Sequence, residues 1–400
     1  MEKTQSIRAA IIGAGPRGTS VLERLLAHTA AAAAAGTASA DLHIDVIDPY
    51  PAGPGHVWQP RQSRLYLMNT QSFYPTLVPQ DPSLAVPVAG TTFDQWRAGQ
   101  QLAPSPSLTE DERAELAVLG SSDFPSRALY GRYLRSTLEE LTQKAPGGVT
   151  IKFHETSAES VCPAGDGTFD VSLAAGGALR ANAVVLALGH IPSRLNPEQR
   201  ELQASAEQLG LSYLPPAVPA DVDWSRVPAG EPVLVRGMGL NFFDTMGQLT
   251  EGRGGKFVSN GSALRYEPSG QEPHIIAASR RGTPYRAKAA LAGYYPASVT
   301  LRYFTEAALD RFRTAGIRPG FDHDLWPLLH RDALWAYYST LVRSQPNAVP
   351  DPDAFLAALE EALHPHAHSA AKWEDGVESV LAIHVGPRHR LDLPGLAAPL

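Results

Sequence analysis

An α/β fold built on parallel sheets is what this 400-residue sequence predicts, and three observations carry the prediction. Twice an apolar, β-branched run leads into a glycine turn and then into helix-like periodicity, at residues 9–26 and again at residues 231–249. Between them lies a nearly all-apolar run, Ala181-Asn-Ala-Val-Val-Leu-Ala-Leu-Gly189, which reads as one strand buried in a parallel sheet. Beyond Tyr294 the apolar spacing turns helical.

The first unit is the most informative. Gly13-Ala-Gly15-Pro-Arg-Gly18 directly follows Ala9-Ala-Ile-Ile12 and directly precedes Thr19-Ser-Val-Leu-Glu-Arg-Leu-Leu26. In that setting Gly13 allows the tight turn, Gly15 lets the backbone approach a pyrophosphate, and Gly18 lets the helix lie close to the strand. The phosphates of a dinucleotide then meet the positive end of the helix; without a ligand the same turn is a plain strand–helix connection. Asp48 closes the next strand-like run, Leu42-His-Ile-Asp-Val-Ile47, where an acid holds a ribose hydroxyl. It lies 30 residues after Gly18 instead of about 20, and the alanine-rich stretch 30–40 accounts for the excess.

Composition narrows the class. The length suits two or three domains with a substantial core. The single cysteine, Cys162, excludes an internal disulfide framework and a cysteine metal cluster, and on its strand-like stretch it reads as core filler. A net charge of −7 argues against a nucleic-acid partner. No apolar run approaches the ~20 residues of a membrane span, so no membrane partner is expected. Met1-Glu-Lys-Thr-Gln-Ser6 carries no signal-peptide core, which makes the cytoplasm the expected address.

The middle of the chain ends its apolar strand at Gly189-His-Ile-Pro192, and Pro215-Pro-Ala-Val-Pro219 reads as a linker at a domain boundary. Glu231-Pro-Val-Leu-Val-Arg236 then feeds a second turn, Gly237-Met-Gly239-Leu-Asn-Phe242. Its third glycine position is Phe242, so tight helix packing is not expected, and an ordinary strand–helix connection is the alternative. From residue 251 to 288 there are seven basic and three acidic side chains. The strand-like His274-Ile-Ile-Ala-Ala278 ends in Ser279-Arg280-Arg281-Gly282, where a Rossmann unit selective for NAD would offer an acid. Arg280 and Arg281 there suit the 2′-phosphate of NADPH; the alternative is a solvated basic loop.

Helical spacing recurs in residues 304–312, 334–341 and 355–363. Trp335, Tyr337 and Tyr338 read as core aromatics of this region. His364, His366 and His368 alternate around Pro365 without an accompanying carboxylate cluster, which favours a solvated loop over a metal site. Arg61, Arg64, Arg127 and Arg132 are candidates for gripping a substrate carboxylate, because the planar guanidinium fork matches it.

Together the motifs resemble the two-dinucleotide-binding flavoproteins. More narrowly, the chain resembles the bacterial FAD/NAD(P)-binding protein family related to flavin-dependent N-monooxygenases. The longer strings that suggest it are Asp48-Pro-Tyr-Pro-Ala-Gly-Pro-Gly-His-Val-Trp58, Leu67-Met-Asn-Thr70, Phe124-Pro-Ser-Arg-Ala-Leu-Tyr-Gly-Arg-Tyr133 and Tyr266-Glu-Pro-Ser-Gly-Gln-Glu-Pro273, within a likeness spanning roughly residues 7–345. The resemblance implies two Rossmann-like domains of the glutathione-reductase type, with a helical cap. It assigns residues 1–215 to FAD, 216–293 to NADPH and 294–400 to the mainly helical cap and C-terminal segment.

On this resemblance Gly13, Gly15, Gly18 and Asp48 bind FAD, Leu188 and Gly189 mark the crossover, and Gly237 and Gly239 bind NADPH. His56, Trp58, Asn69, Thr70 and Gln71 fall on the loop it places near the flavin ring; the alternative is that they are turn and core residues of an irregular loop. It implies an NADPH-dependent monooxygenase that uses molecular oxygen to hydroxylate a small amine or amino acid, at nitrogen. The other reading is a flavoprotein reductase or redox-sensing binding protein without oxygenation. Flavoproteins of this build close the FAD site with a late strand and a Gly-Asp turn; after Pro387 no such turn follows, so a partly open FAD site is expected. In either reading the cofactors carry the redox chemistry and the protein orients and shields them.

Overall fold

The computed structural model describes residues 5–37, 40–79, 81, 84–191, 193–261, 263–288, 300–364 and 373–391. The chain divides into two compact units, Met1–Tyr294 and Tyr295–Leu400.

In the first unit β1 (Gln5–Ile12) runs through the glycine turn into α1 (Pro16–Ala34), and β2 (Ala40–Ile47) returns parallel to β1 over its whole length. Proline at the start of α1 costs nothing there, because the N–H it lacks has no partner inside the helix. Leu22 and Leu26, one turn apart, are buried with Ile11, Ile44 and Val46, so the apolar face of the helix and the strands form one core. Two short helices follow, α2 (Phe93–Leu102) and α3 (Glu110–Val118), each opened by a reciprocal box of Thr92 with Gln95 and Thr109 with Glu112. Next comes α4 (Arg127–Gln143), capped by Ser126. It buries Leu129, Tyr130, Tyr133 and Leu134 against Phe93 and Trp96.

β3 (Val149–His154) adds to β2 in parallel. The chain then makes an antiparallel sheet from β4 (Ala158–Pro163), β5 (Phe169–Leu173) and β6 (Ala178–Ala181), and crosses to β7 (Ala183–Leu186) on the far side of β1. The resulting strand order is β3-β2-β1-β7. The chain thus builds outward from β1 to β2 and β3 and then returns to add β7 on the other side of β1, and the crevice beyond the carboxyl ends of the strands at such a reversal is where ligands of open α/β sheets bind.

Two expectations are corrected here. Cys162 lies on β4 as expected, but it is exposed: Val161 turns toward the core of Val171 and Ala181, so the next side chain along the strand points away from it. The apolar run 181–189 is two elements instead of one buried strand. Asn182 interrupts it by pairing with the Arg8 backbone at 2.9 and 2.8 Å, and β7 is a short outer strand whose Leu186 is 63% exposed.

α5 (Pro197–Leu209) leads to a second parallel pair, β8 (Pro232–Arg236) and, after α6 (Leu240–Leu249) and the hairpin β9 (Lys256–Asn260) with β10 (Ala263–Glu267), β11 (His274–Ala278). This repeats the strand–turn–helix–strand plan of the N-terminus.

The second unit contains α7 (Glu306–Thr314), α8 (Trp326–Ser344), α9 (Pro352–Leu363) and α10 (Trp373–His384). Leu334, Tyr338, Phe355, Leu359 and Leu381 form its core. Of the three aromatics expected there, Tyr338 is fully buried, Trp335 packs partly buried on the cluster beneath Arg302, and Tyr337 is exposed. His364 hydrogen-bonds the Glu360 carbonyl through Nδ1 at 2.9 Å, while His366 and His368 lie outside the described residues. No group of three metal-ligating side chains occurs among the described residues, and no described helix is long and apolar enough to cross a membrane.

Candidate functional site: a dinucleotide cradle and an adjoining cleft

The three glycines of the first turn are not equivalent. Gly13 has φ +107°, and a Cβ there would overlap the Ala187 carbonyl. At Gly18 a Cβ would overlap the Gly13 oxygen and come within 2.9 Å of its carbon. Gly15 has φ −71° and a Cβ would meet only the Gly55 Cα, at 3.9 Å. Gly13 and Gly18 thus answer to the fold, whereas the space above Gly15 is open.

Gly15 is the N-cap of α1, with no side-chain cap and no acidic residue in the first turn. Helices α2 to α5, α7 and α9 are all capped by a side chain. The bare N–H groups of α1 open onto the Gly15 cradle, and that donor set with its helix dipole fits a pyrophosphate. Asp48 accepts hydrogen bonds from the backbone N–H of Ala14 at 2.6 Å and of Tyr50 at 2.8 Å. It therefore ties the end of β2 to the turn, and a carboxylate with four acceptor sites keeps capacity for ribose hydroxyls.

The loop after β2 is clamped between this turn and α4. Gly53 donates to the Ala14 carbonyl at 2.8 Å, Gly55 lies against Gly15, and a Cβ at Gly131 would overlap the Trp58 carbonyl. Two of the strings that carry the family resemblance, 48–58 and 124–133, are therefore packed on one another.

Beside the loop is a cleft of about 1510 Å³. His56, Trp58, Arg64, Asn69 and Arg127, all expected at the site, line it, as do Leu240 and Asp244 of α6. The crossover contributes His190 and Ile191 next to Gly189, and Tyr285, Arg286 and Lys288 come from the segment beyond β11. The cleft lining does not include Gly13, Gly15, Gly18, Asp48, Gly189, Gly237 or Gly239, nor Arg61, Arg132, Thr70, Gln71, Arg280 or Arg281. Thr70 is half-buried, Gln71 is buried, Arg61 is exposed, and Arg132 donates to the Ser107 carbonyl at 3.2 Å.

Both expected arginines in the cleft already have carboxylate partners. Arg127 donates through Nη2 to Asp244 at 2.6 Å and through Nε to the Leu67 carbonyl at 3.2 Å. Asp244 is 5% exposed, and its burial pushes the carboxyl upward, against the opposing pull of Arg127. Arg64 pairs with Glu115, which also accepts from the backbone N–H and hydroxyl of Ser126 at 2.8 and 2.7 Å. His56 contacts Asp221 at 2.8 Å and stacks on Tyr50 at 4.3 Å. Lys288 donates to the Asn69 carbonyl. Arg286 forms no ion pair among the described residues and is exposed on the cleft.

Asp244, Arg286 and Lys288 were missing from the expected site. Asp244 carried one usable signal, the single charged residue in the stretch Leu240-Asn-Phe-Phe-Asp244-Thr-Met246, which requires a partner once that face is buried.

The second glycine turn repeats the first. Gly237 also has φ +107° and donates to the Ala278 carbonyl at 2.7 Å, as Gly13 does to Ile47 at 2.8 Å. Gly239 is an N-cap without a side-chain cap, and its Cβ would meet only Tyr285, at 3.9 Å. A Cβ on Gly237 would touch nothing within 4 Å, so this turn is more open than the first, in keeping with Phe242 at the third position. Arg280 and Arg281 follow β11 in an exposed turn, with Arg281 over the Tyr285 ring at 5.6 Å.

Residues 10–191 match the FAD-NAD(P)-binding family. The matched stretch is similar to an FAD-NAD(P)-binding domain. It contains the whole first cradle, the clamped loop and the crossover. Among curated proteins, nitrosuccinic acid synthase npaA of Aspergillus oryzae is 40% identical over 366 residues, 90% of this chain and 54% of its own length. L-aspartate N-monooxygenases (nitrosuccinate-forming) of Streptomyces cremeus and Streptomyces davaonensis are 38% and 36% identical, over 87% and 89% of this chain and 53% and 57% of theirs. The chain thus spans about half the length of the curated relatives it matches, and the likeness extends well past the FAD-NAD(P)-binding domain.

Proposed function

We propose that the protein acts as an NADPH-dependent flavin monooxygenase that hydroxylates the amino nitrogen of a small amino acid with molecular oxygen, and that the substrate class is acidic. The observation that carries this reading is the 36–40% identity, over 87–90% of the chain, to proteins named for that chemistry. In this reading residues 1–215 hold FAD, 216–293 hold NADPH and 294–400 form the helical remainder, in the cytoplasm, where a reduced nicotinamide pool is maintained.

The donors suit these roles. The bare N-terminus of α1 at Gly15 and the carboxylate of Asp48 would hold the pyrophosphate and ribose of FAD, with Gly13 and Gly18 shaping the turn and Gly189 the crossover. Gly237 and Gly239 would admit the NADPH pyrophosphate at α6, and Arg280 and Arg281 its 2′-phosphate. FAD supplies the oxygen-activating redox chemistry, with NADPH as the electron source.

The chain's own residues bind, orient and exclude water. Trp58, held edge-on against Tyr130 at 5.2 Å, walls the cleft with an apolar ring, and His56, Asn69, Thr70 and Gln71 bring polar groups to the same loop. A dicarboxylate substrate carries two negative charges. Arg127 and Arg64 are already neutralised by Asp244 and Glu115, so Arg286 and Lys288 hold the cationic charge left to receive it. Arg61 and Arg132 lie outside the cleft lining and have no part in this reading.

The test supplies FAD-loaded protein with NADPH, oxygen and ¹⁵N-labelled aspartate. The expected result is labelled product bearing a nitrogen–oxygen bond, formed in proportion to NADPH consumed. NADPH consumption without such product would identify a reductase instead.

A further inference from the structure

One face of α4 touches both glycine-turn units. Arg127 and Gly131 are four positions apart on this helix and so share a face. Gly131 packs on the Trp58 carbonyl, in the loop clamped against the first turn. Arg127 reaches Asp244 of α6, the helix that opens at the second turn.

α6 lies along residues 63–68. Gln248 donates to the Ser63 hydroxyl at 2.7 Å, a Cβ on Gly247 would meet that of Leu65 at 3.7 Å, and Asp244 holds Arg127, which also bonds the Leu67 carbonyl. This segment is in turn stitched to the start of α4. The backbone N–H of Arg127 donates to the Tyr66 carbonyl at 2.7 Å, and that of Met68 to the Pro125 carbonyl at 2.8 Å. The Tyr66 ring lies 5.7 Å from the Arg127 guanidinium, and its hydroxyl donates to the Pro219 carbonyl and accepts from the Trp224 indole N–H, both at 2.8 Å.

Within this contact the ion pair is the unusual member. The side chains of Arg127 and Asp244 are 17% and 6% exposed. A buried pair contributes little net stability relative to apolar packing, and its best-attested use is to select one register. A glycine resting on Leu65 tolerates sliding, whereas a charge-assisted hydrogen bond of set length and direction does not. A grip on a substrate carboxylate would require Asp244 to release Arg127. Asp244 has no second basic partner among the described residues, so release would leave a buried carboxylate unpaired.

We propose that Arg127 and Asp244 are positioning residues, which fix α6, and with it the bound nicotinamide nucleotide, in one place against the flavin loop. The inference rests on the reading of the two turns as FAD and NADPH sites.

Two variants remove the latch. Asp244→Asn keeps the shape without the charge, and Arg127→Ala with Asp244→Ala removes both charges together. In both, amide exchange of residues 240–249 and 63–68, measured without nucleotide, is expected to quicken about tenfold or more, while the Tm of the double variant stays near that of the wild type. In FAD-loaded protein the limiting rate of flavin reduction by NADPH is expected to fall about ten- to a hundredfold, with Kd for NADPH held within about twofold. Wild-type exchange of α6 in both variants would overturn the proposal. So would a rise in Kd for NADPH, or in KM for aspartate, at an unchanged limiting rate, since either marks a residue in contact with a ligand. If the wild type binds no FAD or takes no electrons from NADPH, the monooxygenase reading fails, and the exchange measurement still decides whether the pair fixes α6.

Discussion

Replacing Gly15 with alanine separates cofactor binding from folding. The new methyl would meet only the Gly55 Cα, at 3.9 Å, an ordinary van der Waals distance, and the backbone at φ −71° is one that alanine adopts freely. The unliganded protein should keep its Tm, since a change without strain or overlap stays within about 0.5 kcal/mol. FAD should suffer, because the methyl occupies the cradle in front of the bare N–H groups of α1. Losing one hydrogen bond to a charged group costs about 1.5–3 kcal/mol, so Kd for FAD should rise roughly ten- to a hundredfold. Gly18→Ala is the control: its Cβ overlaps the Gly13 oxygen, α1 must lift from β1, and overpacking costs about 1–3 kcal/mol, so Tm falls even without cofactor. Flavin-fluorescence titration gives Kd and calorimetry gives Tm. Wild-type FAD affinity in a folded Gly15→Ala protein would refute the phosphate cradle, and a Tm loss equal to that of Gly18→Ala would refute the argument that Gly15 is spared by the fold.

Three further outcomes are expected. Arg280→Ala with Arg281→Ala should raise KM for NADPH far more than for NADH, because only NADPH has a 2′-phosphate to lose; steady-state kinetics showing equal effects would remove these residues from the nucleotide site. Arg127→Ala strands the buried Asp244 carboxylate and should cost up to ~3 kcal/mol by urea denaturation, with Arg127→Ala/Asp244→Ala recovering most of it; no recovery would mean that the arginine acts through packing and not through the pair. His330 is 4% exposed, has no partner for Nε2, and burial holds its pKa below the ordinary 6.5, against the upward pull of Glu374. Its contribution is thus fully present above pH 6.5 and is lost as pH falls below that value, so a Tm that drops on acidification in the wild type should drop less in His330→Phe; parallel Tm curves would exclude the histidine.

What the sequence determined by itself is whatever depends on near neighbours along the chain. The turn at Gly13, Gly15 and Gly18, Asp48 at the end of β2, the repeat of the plan at Gly237 and Gly239, and helices in residues 306–363 were all legible, because glycine geometry and apolar periodicity are set within a few residues. Tertiary structure decided which charges meet and which strands are covered. Arg127 finds Asp244 across 117 positions, and Arg64 finds Glu115 across 51, so two arginines that read as free for a substrate are neutralised in the fold while Arg286 is not. Cys162 and Leu186 likewise have the composition of core residues, yet β4 and β7 are the outer strands of their sheets. A side chain's burial depends on what lies across from it, and nothing in its own stretch of sequence records the neighbour.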